Sequence, residues 1–123
     1  MRIGVDMVSI ARIAHSLSVS AKFTSGVFSH SECEYADRMS ARRAHEFLAG
    51  RFAAKEAVLK ALRLGIEDAS RMKEIEVVAE PDGGPGLRLT GSVARIASES
   101  GLSDWQVSIS HDAGVAIALV LLS

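Results

Sequence analysis

One cysteine, Cys33, occurs in the chain, which excludes an internal disulfide framework and a zinc site built on cysteines. No apolar run approaches the roughly 20 residues that a membrane-spanning helix needs, and Val115 to Leu122 falls far short. The sequence opens Met1-Arg2 and enters a strand-like run directly, without a signal-peptide pattern. These absences lead us to expect a cytoplasmic protein with no membrane attachment. A strong charge of one sign is also missing: the formal net charge is −1, so no global field points to nucleic acid. Familiar catalytic signatures are absent too. There is no Gly-x-Ser-x-Gly elbow, no Gly-x-x-x-x-Gly-Lys phosphate loop and no Gly-x-Gly-x-x-Gly fingerprint. The four histidines, at 15, 30, 45 and 111, are too scattered for a zinc pattern.

What is present is ordinary globular material, 48% hydrophobic and 24% charged over 123 residues. That length predicts a single domain spanning 1–123, large enough to bury a core. The charge is unevenly spread. Residues 1–63 carry ten Lys/Arg against six Asp/Glu, whereas 64–123 carry four against nine. Arg38, Arg42, Arg43 and Arg51 cluster in the basic half, where their field would reach acidic partners or phosphates within about 8–10 Å. A solvated helix face explains them equally well.

"RIGVDMVSI" alternates Ile3, Val5, Met7 against Gly4, Asp6, Val8, a strand with one acid on its second face. Ile10, Ile13, Ala14 and Leu17 predict a short helix, with "SLSVSAKFTSG" as its frayed end and a loop. Ser29 and Glu32 form a capping-box signature for a helix to about Met39. From Ala41 to Leu64, an apolar stripe of Ala44, Leu48, Phe52, Leu59 and Leu62 predicts a helix roughly 35 Å long. Gly50 within it points to close packing by another backbone, with a merely tolerated glycine as the alternative. "EIEVVAE", the turn "PDGGPG" and "LRLTG" predict a hairpin, and "SVARIASESG" a helix stopped at Gly101. "WQVSISH" alternates Trp105, Val107, Ile109 inward against Gln106, Ser108, Ser110 outward; "VAIALVLLS" reads as a strand buried on both faces. The expected class is α+β, a small single domain of antiparallel strands packed on a long helix.

The chemistry-bearing residues are carboxylates and cations. Asp6 sits among apolar neighbours and needs a partner, because burying a bare carboxylate is expensive. Glu56 on the long helix meets it if that helix packs on the strand, and two carboxylates with water and phosphate oxygens suit Mg²⁺. The competing explanation is structural: Asp6 pairing with Arg12 or Arg51, and Glu56 with Lys60 at i, i+4.

"IGVDMVSIARI", "FSHSECEY", "LAGRFAAKEAVLKAL" and "VSISHDAGVAIALV" together, in this order over nearly the whole chain, resemble the holo-acyl-carrier-protein synthase family, the small phosphopantetheinyl transferases. The resemblance implies a phosphopantetheinyl-transferase-like fold and transfer of 4′-phosphopantetheine from coenzyme A to a serine of apo acyl carrier protein, releasing adenosine 3′,5′-bisphosphate. With that activity comes a place in fatty acid biosynthesis and lipid metabolism, although a polyketide carrier is left open. Carried over position by position, Asp6 and Glu56 match the Mg²⁺ ligands. Arg51, Lys55 and Lys60 fall on basic positions of the helix motif. Ser110 and His111 match the coenzyme-binding strand, and Gly84-Pro85 the turn beside the coenzyme, with Gly65 in the loop after the helix. Lys60 would steady the departing phosphate, and Glu56 or a Mg²⁺-bound water would take the serine proton. His111 would contact the 3′-phosphate or nucleotide. Arg12, Arg38, Arg42 and Arg43 would meet an acidic carrier protein. A homotrimer with sites between subunits is also implied.

Two positions depart from the family pattern. Arg63 stands where the family has a glycine after the helix, and Gly83-Gly84-Pro85 lacks a lysine often found between Gly and Pro. Two rivals frame the test: a Mg²⁺-dependent nucleotide pyrophosphatase that uses water, and a non-catalytic oligomeric interaction module.

Overall fold

The computed structural model describes residues 1–65 and 69–123. Strand β1 (Arg2–Ser9) runs into α1 (Ile10–Val19), α2 (Ala21–Val27), α3 (His30–Asp37) and the long α4 (Ala41–Ala61). A 3₁₀ turn (Ala69–Glu74), β2 (Ile75–Ala79), β3 (Pro85–Leu89), α5 (Gly91–Glu99), β4 (Trp105–Asp112) and β5 (Val115–Leu122) follow. The order β1-β5-β4 makes a three-stranded antiparallel sheet, and β2-β3 a separate hairpin. The α+β class therefore stands.

Serines start the helices. Ser9, Ser20, Ser29 and Ser40 each accept a backbone N–H three residues on, and Ser29 with Glu32 completes both halves of the capping box. The segment expected to be a frayed end and loop is corrected here. Ser20 closes α1 and opens α2, and Phe23 of α2 packs edge-on against Phe28, so the polar run encodes a helix boundary.

Helix α4 is the core. Its C-terminal half, from Leu48 onward, is buried on nearly every side, wider than the single stripe expected, because β1 and β5, α1, α3 and β2 all pack on it. Strand β1 crosses so closely that a Cβ on Gly4 would collide with the Ala57 carbonyl. The close backbone approach expected at Gly50 is instead at Gly4. A Cβ on Gly50 would lie 2.8 Å from the Ile109 side chain of β4. Trp105 joins the two sheets by donating its indole N–H to the Leu87 carbonyl at 3.1 Å.

The register settles the faces. Asp6 pairs across to Ala118 and Ala118 to Ile109, so all three lie on the face turned to α4. On the other face, Ile3 is 65% exposed, Val5 49%, Met7 68%, Ile117 40% and Leu119 45%. Strand β5 is therefore buried on one face only in the single chain, a correction to the reading of both. No helix among the described residues is long and apolar enough to cross a membrane.

Candidate active site

The convergence expected of Asp6 and Glu56 is present: both line one cleft of about 410 Å³, with Arg12, Phe23 and Phe52 beside them. The cleft exists because β1 presents Asp6 toward α4 while Gly4 lets the two backbones touch. Lys60, one turn beyond Glu56, donates from Nζ to Asp6 Oδ1 at 2.8 Å and to the Val5 carbonyl at 3.2 Å. So neither structural pairing considered for these acids occurs as such: Asp6 pairs with Lys60, and Glu56 makes no hydrogen bond or ion pair among the described residues. Burial pushes the Glu56 carboxyl above its usual pKa, the Asp6 charge pushes it further, and Lys60 opposes both. Two repelling carboxylates at one opening, one without a partner, form a donor set suited to a hard divalent cation that keeps water and substrate oxygens as its remaining ligands.

A second cleft, of about 290 Å³, gathers Arg51, Gly84, Pro85 and His111, with Arg43 and Phe47. Arg51 lies 4.0 Å over the Phe47 ring, which stacks on Tyr35 at 6.0 Å. Burial lowers the pKa of this guanidinium while Glu32 and Tyr35 oppose the shift, and its Nε is buried without a hydrogen-bond partner. An orphaned cationic donor at a cleft wall fits an anionic ligand. Gly84 and Pro85 reach this place on a tight turn in which Gly83 takes φ +92° and Gly84 N–H bonds Asp82 Oδ1.

One expectation is overturned, and three other assignments are placed as follows. Lys55 is not free for a coenzyme phosphate: fully buried, its ammonium sits 2.8 Å from Glu32 Oε1 and donates to the Met72 and Ile75 carbonyls. Ser110 does not share His111's cleft, because adjacent strand residues face opposite ways, and Ser110 lies on the outer face beside Ile117. Gly65 is exposed after α4 and lines none of the clefts described here. The four arginines assigned to a partner do not line one cleft: Arg12 is beside Asp6 and Glu56, Arg42 and Arg43 line clefts containing His111, and Arg38 is exposed at the end of α3.

Sequence reasoning missed Glu46, whose Oε2 lies 3.7 Å from His111 Nδ1, and Phe47, which supports Arg51. The i, i+4 pair Arg42–Glu46 was the visible signal for the former. For Phe47, its place one turn before Arg51 was the only hint.

The model of the 4′-phosphopantetheinyl transferase superfamily matches residues 2–120. A holo-[acyl-carrier-protein] synthase of Salinispora arenicola is 40% identical over 119 residues, which is 97% of this chain and 94% of that protein. The fold matches the holo-[acyl-carrier-protein] synthase of Helicobacter pylori solved in complex with coenzyme A, with TM-score 0.79, 34% identity, and 98% and 99% of the two chains covered. It also matches the Neisseria meningitidis holo-[acyl-carrier-protein] synthase, with TM-score 0.85, 27% identity, and 99% and 97% covered.

Proposed function

The chain belongs to the 4′-phosphopantetheinyl transferase superfamily, and from that premise we propose that it moves 4′-phosphopantetheine from coenzyme A to a serine of apo acyl carrier protein, with Mg²⁺ held by Asp6 and Glu56. The observation that carries this reading is that Asp6 and Glu56 line one cleft while Lys60 donates to Asp6. When bound, the cation supplies Lewis acidity that draws charge from the diphosphate. The serine oxygen forms a bond to the β-phosphorus, the bond from that phosphorus to the bridging oxygen breaks, and adenosine 3′,5′-bisphosphate leaves. Lys60 brings a mobile point charge to the oxygen on which negative charge accumulates. Glu56 is the side chain at the cleft placed to accept the serine proton. Arg51, with its unpaired Nε, and His111 hold the phosphates of the nucleotide, with Gly84-Pro85 bordering it.

Two half-sites on opposite edges of one sheet, β1 with Asp6 and β4 with His111, support a cleft completed between chains. The outward apolar residues Ile3, Val5, Met7, Ile117 and Leu119 supply a face for that contact, and a homotrimer is the assembly proposed. Arg12, Arg38, Arg42 and Arg43 remain the cations offered to an acidic carrier protein. Cytoplasmic residence and a role in fatty acid biosynthesis complete the proposal, and the lone Cys33 suits a reducing compartment.

Mass spectrometry of one incubation tests it. With coenzyme A, Mg²⁺ and apo carrier protein, the carrier gains one phosphopantetheine arm and the bisphosphate is released in equal amount. Release of the bisphosphate without any carrier protein would assign the site to a pyrophosphatase.

A further inference from the structure

Glu46 is the unexplained group at the nucleotide cleft. It lies on the wall between the cleft of about 290 Å³ and a larger one of about 820 Å³, so a carboxylate borders the space assigned to phosphates. Left to itself it would repel them. Its Oε2, however, is 3.7 Å from His111 Nδ1, within ion-pair range though beyond a direct hydrogen bond, and 4.0 Å from Arg42 Nε. The Arg42 side chain is 90% exposed, whereas those of Glu46 and His111 are 24% and 51% exposed, so the imidazole is the better-held partner. The nearest other carboxylate along the strand, Asp112, already accepts the Ala113 N–H at 2.9 Å. Both carriers are rigid: Glu46 is on α4, capped by Ser40, and His111 is paired within the sheet opposite Ala116.

We propose that Glu46 is a positioning residue for coenzyme A: it holds the His111 ring by Nδ1, leaving Nε2 as the donor for the nucleotide's 3′-phosphate. The assignment rests on the reading of His111 as a phosphate contact. An imidazolium held through Nδ1 by a carboxylate is restricted in orientation, and its Nε2–H is a charged donor for the phosphate. The carboxylate thus repels phosphate less than it strengthens the imidazolium between them.

The test is steady-state transfer to apo carrier protein with coenzyme A and with dephospho-coenzyme A, which lacks the 3′-phosphate. Glu46→Gln keeps the side-chain shape, and a thermal melt checks that it folds. It should raise KM for coenzyme A about tenfold, the loss of one charge-assisted contact, while kcat falls less than twofold. With dephospho-coenzyme A the difference from the unaltered protein should shrink to below twofold, and Glu46→Gln should add little to His111→Gln. A fall in KM, or an equal effect on both donors, overturns the proposal. If His111→Gln itself fails to distinguish the two donors, the phosphate reading of His111 falls first and the proposal with it. If His111→Gln distinguishes them and Glu46→Gln does not, the positioning role alone is overturned.

Discussion

Lys60 Nζ and Asp6 Oδ1 lie 2.8 Å apart although 54 residues separate them in the chain. Lys60 is the only cation hydrogen-bonded to Asp6 among the described residues, and Asp6 lines the same cleft as Glu56. In the proposed reaction Lys60 has two partners in turn, Asp6 before substrate arrives and the leaving phosphate afterward. Lys60→Met should therefore lower kcat by about 10²- to 10³-fold, with KM for coenzyme A changed far less. An equal rise in KM with kcat preserved would make Lys60 a ground-state contact only.

Burial and the repelling Asp6 charge both disfavour the ionised form of Glu56. A divalent cation relieves that repulsion, and binding only the folded chain raises stability by mass action. Adding Mg²⁺ should raise the melting temperature of the unaltered protein, and a chelator should reverse the gain. In Glu56→Gln the melting temperature without metal should be equal or higher, since a repelled carboxylate is gone, and the response to Mg²⁺ should be lost. A Glu56→Gln protein that still gains stability from Mg²⁺ would place the ion elsewhere.

Much of this arrangement could be read from residue order, and its failures have physical causes. The period of Leu48, Phe52 and Leu59 announced α4, and the alternation of β1 placed Asp6 on the face opposite Val5. Ser20 was misread because a serine-rich stretch is equally a loop or a junction of two capped helices, and only packing of Phe23 on Phe28 and Phe52 decides. Lys55 could not be told from Lys60 by chemistry. Five positions apart on a helix of 3.6 residues per turn, they point in different directions, one to Glu32 and the other to Asp6. The outer face of β5 looked like core because a continuous apolar run does not mark which of its faces the rest of the chain covers.

The Lys55–Glu32 pair predicts a stability effect without a catalytic one. Glu32 accepts from Lys55, from the Ser29 N–H and from the Val77 N–H, tying α3, α4 and β2 together. Removing one partner leaves the other charge buried and uncompensated, so Lys55→Met or Glu32→Gln should each cost about 3–5 kcal/mol. The double replacement Lys55→Met with Glu32→Leu should cost less than the sum. Denaturant unfolding measures all three. Costs that simply add would mean the pair is not coupled.

Glu74 gives a dependence on pH. Thr90 makes no side-chain cap for α5, and the Glu74 carboxylate substitutes, accepting from the Ser92 hydroxyl at 2.7 Å and the Val93 N–H at 2.9 Å. Burial alone would raise its pKa, but the bonds from Ser92 and Val93 outweigh it and hold the carboxyl below its usual value. A depressed folded pKa means the contribution is complete above the unfolded value, about 4.3, and fades as pH falls through the folded one. Glu74→Gln should cost about 0.5–1 kcal/mol at pH 7. The two proteins should converge in strong acid, as urea melts at several pH values will show. A gap that persists at low pH would mean the cap does not depend on charge.

Leu119 and Val5 face each other across β5 and β1 on the exposed side of the sheet, in the middle of its apolar patch. If that patch is the contact between subunits, Leu119→Glu places a charge where it must be desolvated on association but stays hydrated in a free chain. The variant should keep its secondary structure, run as a monomer in light scattering at concentrations where the unaltered protein associates, and lose transfer activity. A further mixture separates a shared site from an incidental one. Glu56→Gln and Arg51→Ala disable different clefts, so refolding the two inactive proteins together should restore part of the activity if each site takes Glu56 from one chain and Arg51 from its neighbour. Were both residues of a site to come from the same chain, every site in the mixture would carry one lesion and none would recover.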